Sequence, residues 1–97
     1  MTVAETIRWK LSEQLAPLRL EIIDESHRHA GHAGARPEGE THFRVTIVSA
    51  AFVGLSRVAR QRLVYELLAE QLANRVHALS LTTLAPGEDA AAPKQPS

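Results

Sequence analysis

Imidazole is the one strong transition-metal ligand that this chain offers in quantity: it has five histidines and no cysteine. Three of them, His27, His29 and His32, fall within six residues of a stretch punctuated by glycine. A fourth, His77, stands far down the chain where a late apolar segment begins. Imidazole is the commonest protein metal ligand, and several on one segment let a metal select its geometry. Without thiolates, however, the chain alone cannot hold an iron–sulfur cluster or a sulfur-rich zinc site. A soft metal bound here would be shared with a partner that brings the sulfur. The competing reading is plainer: a solvated polar loop for the clustered histidines, and for His77 a satisfied residue at the mouth of a strand.

Other residues that could do chemistry carry weaker signals. The fifth histidine, His42, alternates with Phe43, Val45 and Ile47, which places it on the polar strand face or toward a neighbouring strand, with a structural hydrogen bond as its expected role. Arg57, Arg60 and Arg62 form a local basic patch. Such a patch is ordinarily a solvated face, with Glu66 and Glu70 at helical spacing for pairing; its functional reading is contact with phosphate or with an acidic partner. Net charge is zero and the pI is near 7, so no overall field recruits nucleic acid or an anionic membrane. No GxxG clamp and no aromatic platform for bases is present. Ser26 beside His27 lacks a positioned acid and an oxyanion loop, so catalysis is not expected. Trp9 reads as packing or as a surface anchor.

The elements that must position these residues follow from hydrophobic period. Thr2 and Glu5 fit a capping box, and Val3, Ile7, Leu11 and Leu15 recur every four residues, so a helix runs up to Pro17. Leu18, Leu20 and Ile22 alternate with Arg19 and Glu21 in a half-buried strand reaching Asp24. Residues 26–39 contain Gly31, Gly34, Pro37 and Gly39 and no apolar period; a loop of about fourteen residues is long enough to suggest function. Thr41 to Ser49 is a second strand, joined to the first as a long antiparallel hairpin. Ser56 caps a second helix over about Arg57–Asn74, and Val76 to Thr83 is a third strand. There His77 shares parity with Leu79 and Leu81, which points it toward the helix-covered face at the rim of the core.

Helix, strand, strand, helix, strand is the order of an α+β two-layer αββαβ sandwich. It implies a three-stranded mixed sheet with the helices on one face and the last strand parallel to a neighbour. Residues 1–85 form one domain, and residues 86–97, rich in alanine and proline, read as a disordered tail. A hydrophobic share of 44% and a charged share of 23% are those of an ordinary globular protein. No apolar run is long enough to span a bilayer, no signal peptide opens the chain, and no disulfide is possible. The expected compartment is the cytoplasm.

The same residues carry a family likeness. Glu25-Ser26-His27 with His29 and His32 comes first, then Glu40-Thr41-His42-Phe43-Arg44-Val45 with Val48-Ser49. Phe52 and Gly54, Arg60-x-Arg62-Leu63-Val64-Tyr65 and Val76-His77-Ala78-Leu79 complete the set. No single piece is diagnostic, but in this order and spacing, over residues 5–86, the chain resembles the BolA family. The resemblance implies a fold similar to a type II KH domain and no enzymatic activity. It implies a monothiol glutaredoxin as partner and a shared [2Fe–2S] cluster, in iron–sulfur trafficking, iron or redox signalling, and the stress response. Glutaredoxin and glutathione would supply thiolates and this chain nitrogens. The isolated chain would carry no cofactor and be a monomer or a weak homodimer. The family's C-terminal-strand histidine corresponds to His77, and the second ligand to His29 or His32 in the hairpin loop. Bacterial members are also described as DNA-binding transcriptional regulators, a role that would fall here to the second helix with Arg57, Arg60 and Arg62. One position departs: Gln61 stands where members commonly have histidine between two arginines, and glutamine is a poor ligand that does not titrate.

Overall fold

The computed structural model describes residues 2–26 and 41–89. Helix α1 (Val3–Leu15) opens with the capping box. The Glu5 N–H donates to Thr2 Oγ1 (3.0 Å) and the Thr2 N–H to Glu5 Oε2 (3.1 Å). The helix closes at Ala16, whose φ of 42° lies in the left-handed region, just before Pro17. The four-residue apolar spacing buries Ile7, Leu11 and Leu15 together.

Strands β1 (Arg19–Asp24) and β2 (His42–Val48) pair antiparallel, with Arg19 opposite Val48 and Asp24 opposite Phe43. Strand β3 (Ala78–Leu84) pairs parallel with β2, with His42 opposite Ala78. The order β1-β2-β3 makes β2 the central strand of a mixed sheet. One face presents Leu20, Ile22, Phe43, Val45, Ile47, Leu79 and Leu81 to the core. Ile7 and Leu11 of α1, with Val64 and Leu68 from the second helical region, cover that face. This is the expected α+β two-layer arrangement. None of the described helices is long and apolar enough to cross a membrane.

The second helix is not one helix. It runs as α2 (Arg57–Leu67) and α3 (Ala69–Asn74), broken at Leu68, where φ is −104° and ψ 15°. Val64, Leu68 and Leu72 keep a spacing of four across the break, so the apolar period conceals it. Leu68 stays buried while the chain turns back, and the Val76 N–H reaches the Gln71 carbonyl (2.9 Å). The strand then begins at Ala78, two residues later than its apolar pattern suggests.

The order of the chain also continues past Ala85. Pro86–Glu88 form a 3-10 turn in which Glu88 Oε1 accepts from the Ala85 N–H (2.8 Å). Glu88 pairs with Arg60 on α2 (2.5 Å), and Asp89 makes a two-pronged pair with Arg19 (2.8 Å for each bond). Arg19 opens β1 and Leu84 closes β3, so this segment crosses the end of the sheet and ties its two outer strands. Charge holds it, which is why a search for apolar residues misses it. Residues 90–97 of the expected tail lie outside the described residues.

Arg60's hydrogen bond, assisted by the Ala85 N–H, lowers the Glu88 pKa to about 2 from an ordinary 4.5. A carboxyl whose folded pKa lies below its unfolded value stabilises the fold above the unfolded value, and that contribution fades as pH falls toward the folded one. Glu88→Gln should therefore lower the melting temperature by a few degrees at neutral pH. It should also reduce the acid loss of stability between about pH 4.5 and 2, read from thermal melts across that window. A second change should act in the opposite direction. Thr83 is buried and its Oγ1 has no hydrogen-bond partner, a desolvation cost without compensation. Thr83→Val should stabilise the protein by about 1 kcal/mol, measured by urea denaturation.

Candidate functional site

The hairpin loop leaves the sheet at Ser26 and returns at Thr41, and both residues are buried. Ser26 Oγ accepts from the N–H groups of Thr41 (3.0 Å) and His42 (3.3 Å) and donates to Asp24 Oδ1. The Glu25 N–H reaches the His42 carbonyl (2.7 Å). On the other side, the Thr41 carbonyl accepts from the N–H groups of His77 (2.7 Å) and Ala78 (3.1 Å). Ser26 and His77 therefore bond the same Thr41–His42 peptide group, Ser26 at its N–H and His77 at its carbonyl.

The His77 side chain is exposed, contrary to the inward orientation that strand parity suggests. Parity does not reach it, because the regular ladder starts at Ala78 and His77 precedes it, its N–H bonded to Thr41. His42 is half-buried and makes the expected structural hydrogen bond, Nδ1 to Thr41 Oγ1 at 2.8 Å. It also lies beside His77, with ring centroids 6.2 Å apart and planes tilted by 37°. That neighbour was not foreseen from sequence. The signal that could have found it is the parallel register, which sets His42 against Ala78. His27, His29 and His32 lie outside the described residues. Among the described residues no group of three or more potential ligands could hold a metal ion.

The three arginines do not form one basic patch. Arg60 bonds Glu88 and the carbonyls of Thr83 (3.2 Å) and Leu55 (3.0 Å), and its guanidinium lies 5.9 Å from the Phe52 ring centroid. Its pKa is raised by the Glu88 hydrogen bond. Arg57 and Arg62 are exposed. Arg57, Arg60 and Glu88 line one cleft, so a carboxylate sits within the supposed basic surface. Glu70 pairs with Lys10 on α1 (3.7 Å) rather than within its own helix. Alongside Arg60, Gln61 Nε2 donates to the Leu81 carbonyl (3.4 Å) and Tyr65 Oη to the Leu79 carbonyl (3.4 Å).

The family model described as "BolA-like protein" matches residues 11–88. The chain belongs to the BolA family. It superposes on the solved structure of BolA1 from Arabidopsis thaliana with a TM-score of 0.83 at 46% identity, covering 92% of this chain and 97% of that one. It is 52% identical over 89 residues to an "Uncharacterized protein in cobS 5'region" from Sinorhizobium sp, covering 91% of this chain and 96% of the relative. It is 43% identical over 83 residues to the "DNA-binding transcriptional regulator BolA" of Escherichia coli (strain K12), covering 86% and 75%. Some curated relatives are longer, and the chain spans 23% of one and 54% of another.

Within this BolA-family chain, Gln61 does structural duty on the outer strand, and Arg60 serves the fold rather than an open surface. Arg60→Ala should remove the pair with Glu88 and the bonds to the Leu55 and Thr83 carbonyls, and so lower the melting temperature clearly. Arg57→Ala and Arg62→Ala should leave it nearly unchanged, as exposed substitutions do. Thermal melts of the three single variants make the comparison.

Proposed function

We propose that this BolA-family protein is a non-enzymatic adaptor that pairs with a monothiol glutaredoxin. It lends histidine nitrogen to a [2Fe–2S] cluster shared with glutaredoxin and glutathione, in iron–sulfur trafficking or iron and redox signalling within the cytoplasm. The supporting observation is the exposed His77 imidazole on a backbone pinned to Thr41, the first described residue after the segment that carries His29 and His32 in the sequence. The chain's donor chemistry fits that task, with histidine nitrogen and no cysteine sulfur. When bound, the cluster supplies the redox and iron–sulfur transfer chemistry. This chain's residues bind and orient: His77 offers an imidazole, Thr41 fixes its main chain, and His29 or His32 completes the nitrogen set.

Titrating the protein into glutathione-bound glutaredoxin while following visible absorption tests the reading. His77→Ala should alter the absorption of the shared cluster and weaken its retention, while binding to cluster-free glutaredoxin persists. An unchanged spectrum and an unchanged cluster lifetime would remove the assignment. The isolated protein should be colourless, and a chelator should not unfold it, because the core of Ile7, Leu11, Phe43, Ile47, Phe52 and Val64 needs no metal.

A second reading, a DNA-binding transcriptional regulator, is favoured by the name of the Escherichia coli relative. Exposed Arg57 and Arg62 would make its phosphate contacts. Its signature is duplex binding by the isolated protein that falls steeply with salt and is weakened by Arg57→Ala and Arg62→Ala.

A further inference from the structure

We infer that Ser26 is a positioning residue for the His42–His77 imidazole pair, acting through the main chain of Thr41; the inference rests on the adaptor reading above. Ser26 is 2% exposed, and its hydroxyl is fully engaged. A hydroxyl has one proton and two lone pairs. The proton goes to Asp24 Oδ1, and the oxygen accepts from the N–H groups of Thr41 and His42. An ionised carboxylate can only accept, so Asp24 fixes the direction of its bond with Ser26. The lone pairs are thereby turned toward the two N–H groups.

The place of this junction gives it its effect. Past the β1–β2 ladder, the Glu25 N–H donates to the His42 carbonyl (2.7 Å), the rung next to Ser26 and Thr41. Ser26 Oγ takes the place of the next rungs and fixes the Thr41 peptide from one side. From the other side the Thr41 carbonyl takes the His77 and Ala78 N–H groups. The placement of His77 against His42 therefore depends on the orientation of Thr41, and that orientation depends on Ser26. Ser49 supplies a control of the same type. It is equally buried, accepts from the Ala51 N–H (3.1 Å) and donates to the Leu15 carbonyl (2.6 Å), but it lies at the opposite end of β2.

The test compares Ser26→Ala, Asp24→Ala, Ser49→Ala and His77→Ala. Two quantities are read: amide hydrogen exchange at Thr41 and His77 in the isolated protein, and the lifetime and visible circular dichroism of the cluster in the glutaredoxin complex. Ser26→Ala should speed exchange at both amides, change the dichroism and shorten the cluster lifetime about tenfold, the lower end of what losing a group behind a metal ligand costs. Asp24→Ala should act in the same direction to a smaller extent. Ser49→Ala should lower the melting temperature and leave the dichroism and lifetime alone. If His77→Ala shortens the lifetime but Ser26→Ala does not, or does so no more than Ser49→Ala, the positioning role is overturned and the adaptor reading stands. If His77→Ala has no effect on the lifetime, the adaptor reading falls and takes this role with it. Should Ser26→Ala fail to fold, Asp24→Ala decides, and unchanged exchange at His77 in that variant overturns the inference.

Discussion

The Thr41 carbonyl opens the junction between the hairpin and the last strand. It accepts from His77 and Ala78 just where β2 begins, and the parallel ladder that follows makes β2 the centre of the sheet. A parallel strand cannot be reached by a tight turn; it needs a crossover, here the long excursion through α2 and α3. The closure of that excursion is marked at one end by Thr41 and at the other by the Ser49 N–H on the Leu84 carbonyl (2.9 Å). Phe43, Val45 and Ile47 lie between these points and belong to the one apolar core that residues of α1, α2, β1 and β3 complete. Displacement of β2 by one residue would turn these three side chains to the open face and remove the core.

Much of this was legible because it depends on periods. The four-residue spacing of Ile7, Leu11 and Leu15, the alternation of Phe43, Val45 and Ile47, and the caps at Thr2 and Ser56 are local facts about the chain, and the structure follows them. What escaped depends on relations between distant residues. The break at Leu68 is invisible because the apolar spacing runs through it. The meeting of His42 with His77 needs a parallel register that no local pattern states. Strand parity turns His77 inward, but parity holds only inside a ladder that starts one residue later. In the candidate site, the residue types were readable, while their arrangement required the sheet.

The end of the domain carries a similar lesson in a different form. Ala85 to Asp89 has no large apolar side chain, and apolar burial is the usual sign that a segment is held. Arg19 and Arg60 reach it from separate elements and fasten Asp89 and Glu88. Arg60 is itself braced by backbone carbonyls and by the Phe52 ring, so its guanidinium is placed before the carboxylate arrives. Pre-placement of this kind reduces the conformational entropy that an exposed ion pair ordinarily costs.

The outer edge of β3 has an asymmetric chemistry. Its carbonyls at Leu79, Leu81 and Thr83 are occupied in turn by Tyr65, Gln61 and Arg60. The N–H groups of those same residues face outward too, since residues of one parity in a strand turn both groups to the same side. An incoming strand would find outward N–H donors along this edge, while each of these carbonyls already accepts a hydrogen bond from the helix. The helix thus makes the border one-handed in hydrogen bonding, a guard against edge-to-edge growth that uses neither a charge pointed inward nor a proline. A molecule that approaches this rim therefore meets the side chains of α2 before it meets strand backbone.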